Sequence, residues 1–256
     1  MLLIFIYTIK KIGKLMSLSF LDTLNGVFSL VFVALSLFVG FIILSRYFKY
    51  RERVYFLVGI TWVLIASPWW PSSVSFIVAL SNDVGITPEI YFLIGNLLVP
   101  LAVILWLLAL TEFLYTEKRK LILSVFSVIG LIFEVLFLTF LFLNSDFIGE
   151  LNGPVDVNYK SFIMIFLIIF LLIVVVTGFL FANLSLKSDD PEVKLKGKLL
   201  VVAYITFSIG ALLDSSIPLN EALIIITRLI LITSSFCWYA GFLLPRWLKK
   251  YLLKKR

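Results

Sequence analysis

From Ser161 to Leu186 the chain carries no charged residue. About 20 such residues suffice to cross the hydrocarbon of a bilayer as an α-helix, whose backbone groups satisfy one another internally. Six further stretches read the same way, at 24–45, 54–80, 90–115, 121–143, 199–217 and 222–244. A soluble chain of 256 residues could not hide so much apolar surface: 62% of it is hydrophobic, 25 positions are Phe, and only 14% is charged, against about 25% in an ordinary soluble domain. The expected fold class is therefore all-α, a polytopic membrane protein with a seven-transmembrane-helix bundle over 21–245.

The second stretch contains Ser67-Pro68-Trp69-Trp70-Pro71. Two prolines this close kink or break a helix, because each removes a backbone donor and clashes with the preceding turn. The span either stops near Trp69, with the tryptophans at an interface, or continues kinked to about 80. One crossing is expected, because the charges between the spans require it.

Those charges alternate. Arg46, Lys49, Arg51 and Arg53 follow the first span, Lys118, Arg119 and Lys120 the third, and Lys187, Lys194, Lys196 and Lys198 the fifth. The tail after the seventh holds Arg246, Lys249, Lys250, Lys254, Lys255 and Arg256. The other joints contain Asp83, Glu89, Asp146, Glu150, Asp156 and Lys160. Lysine and arginine stay on the cytoplasmic side, so seven crossings with the N-terminus outside and the C-terminus cytoplasmic satisfy every joint. The same bias accounts for the net charge of +7 without nucleic acid as a partner. The expected location is the cell membrane, as a multi-pass protein. Residues 1–20, with Lys10, Lys11 and Lys14 on the outer side, read as an interfacial segment or as a start-site artefact preceding Met16. Residues 246–256 read as a basic amphipathic cytoplasmic tail lying on anionic lipids.

Two joints carry local signals. Asn152-Gly153-Pro154 marks a turn in the 144–160 loop. Ser188-Asp-Asp-Pro-Glu reads as a helix start, with Ser188 or Asp189 as the cap, Pro191 in the first turn and Glu192 paired to Lys196 one turn on.

Hydrocarbon makes a buried charge expensive, so an ionisable side chain within a span is a functional candidate. Arg228 lies roughly 9 Å below the outer boundary and Glu134 roughly 13 Å, at about 1.5 Å per residue. Asp214 and Glu221 stand at the outer ends of spans six and seven, and Glu112 at the inner end of span three. These positions predict an outward-facing cluster of Arg228 with Glu134, Asp214 or both, bordering a cavity. An ion pair that only fixes helix register is the competing reading, and snorkelling of Arg228 to the headgroups is a third. Asn96, Pro100 and Trp106 fall loosely along span three and suggest a helix contact or cavity.

The chain has no histidine and one cysteine, Cys237. Histidine-based zinc sites, haem ligation and Ser-His catalysis are thereby excluded, as is a disulfide within the chain. No cofactor or metal is expected, and no nucleophile–base pair marks an enzyme. The span Ala222–Leu244 holds no lysine for a retinal Schiff base. Tyr115-Thr-Glu-Lys-Arg-Lys stands where a common G-protein-coupled receptor would carry an acidic-Arg-aromatic triplet.

With its short loops, the basic joint Asp190-Pro-Glu-Val-Lys-Leu-Lys-Gly-Lys198 before the sixth helix, and polar residues near the outer end, the chain resembles the seven-helix sensor (input) modules of prokaryotic histidine kinases. No output domain is expected after Arg256. The resemblance implies a stand-alone sensory or ligand-binding module, signalling through a separate partner protein. A transporter or channel subunit, or a structural subunit of a membrane complex, are the alternatives.

Overall fold

The computed structural model describes residues 18–216 and 220–253. Seven helical spans are long and apolar enough to cross a membrane: Phe20–Tyr50, Arg53–Asn82, Pro88–Leu110, Thr116–Leu143, Ser161–Leu186, Pro191–Ser215 and Glu221–Leu243. They coincide with the seven expected stretches and are compatible with an integral membrane protein. Large apolar side chains such as Phe38, Phe41, Leu131, Val135 and Leu172 are exposed around the bundle, a belt that hydrocarbon would cover. The N-terminal segment up to residue 17 and the last three basic residues of the tail lie outside the described residues.

Span one is helix α1 (Phe20–Tyr50), opened by Ser19, whose hydroxyl accepts from the Asp22 amide. Span two is split into α2 (Arg53–Ile65), a tight turn Ser67–Trp69, and α3 (Trp70–Asn82). Together they form one candidate span, interrupted at the prolines. Span three is split as well, into α4 (Pro88–Asn96) and α5 (Val99–Leu110). The carbonyl of Asn96 would take its helical bond from residue 100, and Pro100 has no N–H to give. The two breaks abut: a Cβ on Gly95 would lie 3.1 Å from the Pro71 ring. Helices α6 (Arg119–Leu143), α7 (Ser161–Leu186), α8 (Pro191–Ser216) and α9 (Glu221–Leu243) complete the bundle, and α10 (Arg246–Leu253) follows.

Helices α1 and α2 approach backbone to backbone, since a Cβ on Gly59 would lie 2.6 Å from the Leu44 nitrogen and one on Gly40 2.9 Å from the Gly59 carbonyl oxygen. Small residues permit such contact where lipid offers no solvent-driven force between helices. Helix α9 packs between α8 and α1, while α6 sits on the flank against α4 and α5. At the centre, Trp62, Trp106, Tyr204 and Trp238 are buried to within 1% exposure. Trp62 stacks on Trp238 at 4.5 Å, and Tyr204 meets Trp238 edge-on at 5.4 Å.

The long loop before α7 is not featureless. Strands β1 (Gly149–Leu151) and β2 (Val157–Tyr159) form an antiparallel hairpin around the anticipated turn, where Gly153 has φ +78°. This small sheet sits within an otherwise helical chain of the expected all-α class, and periodicity could not reveal it in strands of three residues.

The joint before α8 also differs in detail. The cap is Asp190, whose Oδ1 accepts from the Glu192 amide at 2.8 Å, rather than Ser188 or Asp189. Glu192 pairs with Lys249 of α10 rather than with Lys196. The segment 246–253 is helical, with Leu248 buried beside Leu244 and Ala240 and Trp247 and Tyr251 exposed.

Candidate functional site

The end of the bundle that carries the hairpin encloses a cavity of about 140 Å³. Every span except the first and the fourth contributes to its wall. Trp69 and Ser72 come from the broken second span, Tyr91 from α4, Met164 to Val174 from α7, Phe207 and Asp214 from α8, and Arg228 from α9. Asp156, Val157 and Tyr159 of the hairpin lie across the top.

Arg228 organises the polar side. It is 2% exposed, so it does not snorkel. Its Nη1 donates to Asp214 Oδ2 at 2.8 Å, and its Nη2 to Asn25 Oδ1 at 2.8 Å. The Trp69 indole N–H donates to the same Asp214 oxygen at 2.7 Å. Charge-assisted bonds of this kind are among the strongest in proteins. Taking both charges out of water is costly, so the pair holds only while each partner is present. The cluster is nonetheless incomplete: Arg228 Nε and Asp214 Oδ1 are buried and have no bonding partner among the described residues. One donor and one acceptor thus remain unsatisfied within two residues that line the cavity, which buried polar groups seldom do.

The hairpin is pinned over this site. The Val155 carbonyl accepts from Tyr91 Oη at 3.2 Å and Asn25 Nδ2 at 3.4 Å, and Ser75 Oγ donates to the Pro154 carbonyl. Asn96 Nδ2 donates to the Tyr159 hydroxyl at 3.2 Å. Burial raises the Asp156 carboxyl above the ordinary range, and nearby Asp214 adds to the effect. Burial likewise pushes the Tyr159 phenol up to about 12.

The expected residues divide accordingly. Arg228 and Asp214 meet as anticipated. Asn96 is fully buried at the break in span three and reaches the site through Tyr159. Glu134 does not join: it is half-buried on α6, outside the cavity wall. Its depth along span four is close enough to that of Arg228 for long side chains to bridge, but α6 packs on α4 and α5, across the bundle from α9. Glu221 is exposed in the first turn of α9. Glu112 lies at the opposite end, 3.8 Å from Arg119.

Asn25, Trp69, Tyr91 and Asp156 were not singled out by sequence. Asn25 has a legible signal, being an amide within a span beside Ser29. Trp69, between two prolines, looks like an interface residue until the kink turns it inward.

Below the cavity the aromatic core closes the way. Phe207 touches Trp69 at 5.9 Å and Trp62 at 5.8 Å, and the four-ring cluster follows beneath. No group of three or more potential metal ligands occurs among the described residues. Comparison with protein-family models, curated proteins and solved structures finds no match to the chain.

Proposed function

We propose that the protein is a sensory or ligand-binding membrane module that takes a small molecule into the cavity beside Arg228 and Asp214. It lies in the cell membrane with its N-terminus outside and its C-terminus in the cytoplasm, so the hairpin end faces outward. The observation that carries this reading is the cavity itself, lined largely by apolar side chains with the Arg228–Asp214 pair, Tyr159 and Asp156 as its polar part. A pocket of apolar walls with a few convergent polar groups is the usual form of a small-molecule site.

A transport path is disfavoured by the layer of Trp62, Trp106, Trp238 and Tyr204 below Phe207, which makes the cavity a dead end. Helix α8 suits the role of transmitter. It carries Asp214 at one end, Phe207 and Tyr204 in the middle, and Glu192, bound to Lys249 of α10, at the other. A displacement of one or two ångströms along it is the common scale of helix-borne signals. The basic end, resting on anionic lipids through Trp247, Tyr251 and the lysines of α10, would present that movement to a partner protein.

The experiment is a thermal-shift screen of the purified chain against small alcohols, amides and amphiphiles. Stabilising compounds are expected, and their effect should vanish in Ser72→Trp, which fills the cavity, and persist in Glu134→Gln. Spin labels at Lys120 and Lys194 should change separation when a hit binds. Solute flux into proteoliposomes that depends on Arg228 would overturn the reading in favour of a transporter.

A further inference from the structure

We infer that the open flank of α6 is a docking surface for a transmembrane helix of another membrane protein, one that carries a lysine or arginine near the bilayer midplane to meet Glu134. This surface is separate from the cavity and does not depend on what the cavity holds.

Two charged side chains stand deep within the described spans, and the bundle treats them oppositely. Arg228 is enclosed and bound to Asp214 and Asn25. Glu134 is half-buried and has neither an ion pair nor a hydrogen bond among the described residues. Its Oε2 is shut in, while Oε1, equally unbonded, reaches the surface of the molecule. Glu134 lies roughly 13 Å below the outer boundary, at about 1.5 Å per residue, too deep for so short a side chain to reach the headgroups. Hydrocarbon offers that oxygen neither a counter-charge nor a donor, and ionisable groups in spans are nearly always paired or turned to polar surroundings.

The helix that carries Glu134 is the least enclosed of the seven spans. It rests on α5, where a Cβ on Gly130 would lie 3.1 Å from Pro100, and on α7, where Phe133 meets Phe162, Phe166 and Phe170. Gly130, Phe133, Phe137 and Leu141 are thereby buried. Beside that face Ser124, Ser127, Leu131, Glu134 and Leu138 recur at alternating intervals of three and four, the seam spacing of left-handed helix pairs. Ser124, Ser127 and Leu131 are exposed, and Glu134 and Leu138 partly so. The serines let a partner backbone come close near the Arg119 end, and Leu131 and Leu138 flank the carboxyl. Helix α7 is nearly as open but carries no charge along its length, so lipid alone suits it.

Charge selects the partner. A second copy would bring the same stripe and set carboxyl against carboxyl. Its Arg228 is enclosed and committed to Asp214. A helix with a lysine or arginine at matching depth supplies a counter-charge and N–H donors to Oε1. Its own cation, equally costly in hydrocarbon, gains a carboxylate in return.

The test uses the full chain in phospholipid vesicles, with a donor fluorophore on Lys118→Cys in a Cys237→Ala background. The probe is an acceptor-labelled transmembrane peptide of leucine and alanine with one central lysine. The centre of a hydrocarbon layer about 30 Å thick is close to the level of Glu134 whichever way the peptide inserts. Companion peptides carry leucine or glutamate at the centre. Energy transfer should report association about tenfold tighter for the lysine peptide than for the leucine peptide, the scale of one hydrogen bond to a charged group. Glu134→Leu should erase that difference, with an unchanged or higher thermal midpoint showing that the variant folds. Leu131→Trp, which obstructs the stripe, should weaken association, whereas Ile132→Trp, exposed on another side of α6, should not. Equal transfer for the lysine and leucine peptides, or a difference that survives Glu134→Leu, overturns the inference. So does tight association of the glutamate peptide, or Glu134-dependent transfer between copies of the chain, since either would make the flank a carboxyl-to-carboxyl contact.

Discussion

Arg228 donates to Asn25 across 2.8 Å, joining the last span to the first. The same guanidinium is bound to Asp214 on α8, so three helices meet on one buried cation. Removing either acceptor leaves Arg228 under-compensated in a low-dielectric site. Asp214→Ala should cost on the order of 3–5 kcal/mol, and Asn25→Ala about 1.5–3 kcal/mol. The double replacement Arg228→Leu with Asp214→Leu should be milder than Asp214→Ala alone, because no charge is then stranded. Thermal unfolding in detergent measures all three. A double variant less stable than Asp214→Ala would show that the groups do not act as a unit.

Orientation follows from Lys118 and Glu150, which stand at opposite ends of α6 and its flanking joints. With the buried Cys237 replaced by Ala, single cysteines at these two positions should be labelled by an impermeant maleimide from opposite sides of the membrane. Labelling of both from one compartment would contradict the proposed arrangement of spans.

The aromatic layer predicts a stability effect separate from the cavity. Trp62→Phe keeps much of the buried area but loses the stack on Trp238, and should cost about 0.5–1.5 kcal/mol. Trp238→Ala leaves a cavity and should cost about 3–5 kcal/mol. Both are read as shifts in the thermal midpoint. Equal midpoints for the two variants would mean that packing at this level is loose.

Asp156 links the hairpin to pH. Its folded carboxyl titrates above the ordinary range, chiefly because of burial, so folding favours the protonated form. Its contribution is fully present below the unfolded value and is lost as pH rises through the raised folded value. Amides of 150–159 should therefore exchange faster near neutrality than in mild acid, after correction for intrinsic rates. Asp156→Asn should flatten that difference. A pH profile unchanged by the substitution would assign it to another group.

The backbone contact of α1 with α2 sets a last expectation. A methyl at Gly59 would lie 2.6 Å from the Leu44 nitrogen, where only backbone can yield. Gly59→Ala should part the helices and cost roughly 1–3 kcal/mol, the range for overpacked sites. Thermal melting of the purified variant is the measure, with Gly130→Ala, whose added methyl would touch only the Pro100 and Ile104 side chains, as the milder control.

Much of this architecture was legible because lipid penalises charge and rewards long apolar runs. The spans follow from those rules, the break at Pro68–Pro71 from the missing proline donors, and the turn at Gly153 from its turn-forming neighbours. Arg228 and Asp214 stood out as charges in or beside spans. What sequence spacing supplies is depth along a helix axis. It does not say on which side of a bundle a helix stands, which is why Glu134 stood within reach of Arg228 in depth and yet lies across the molecule. Asn25 could be noticed as an amide within a span, and the prolines mark the break beside Trp69, but the direction in which the break and the α1–α9 packing turn these two side chains does not follow from local pattern. The two strands were too short to show an alternation.

The paired interruptions at Ser67–Trp69 and Leu97–Leu98 have a mechanical consequence. Two neighbouring spans lack ladder bonds at adjoining points, where Gly95 rests on Pro71. Any bending of these spans would be concentrated there, shifting Ser72 and Tyr91 relative to the tryptophan layer held by α2 and α5.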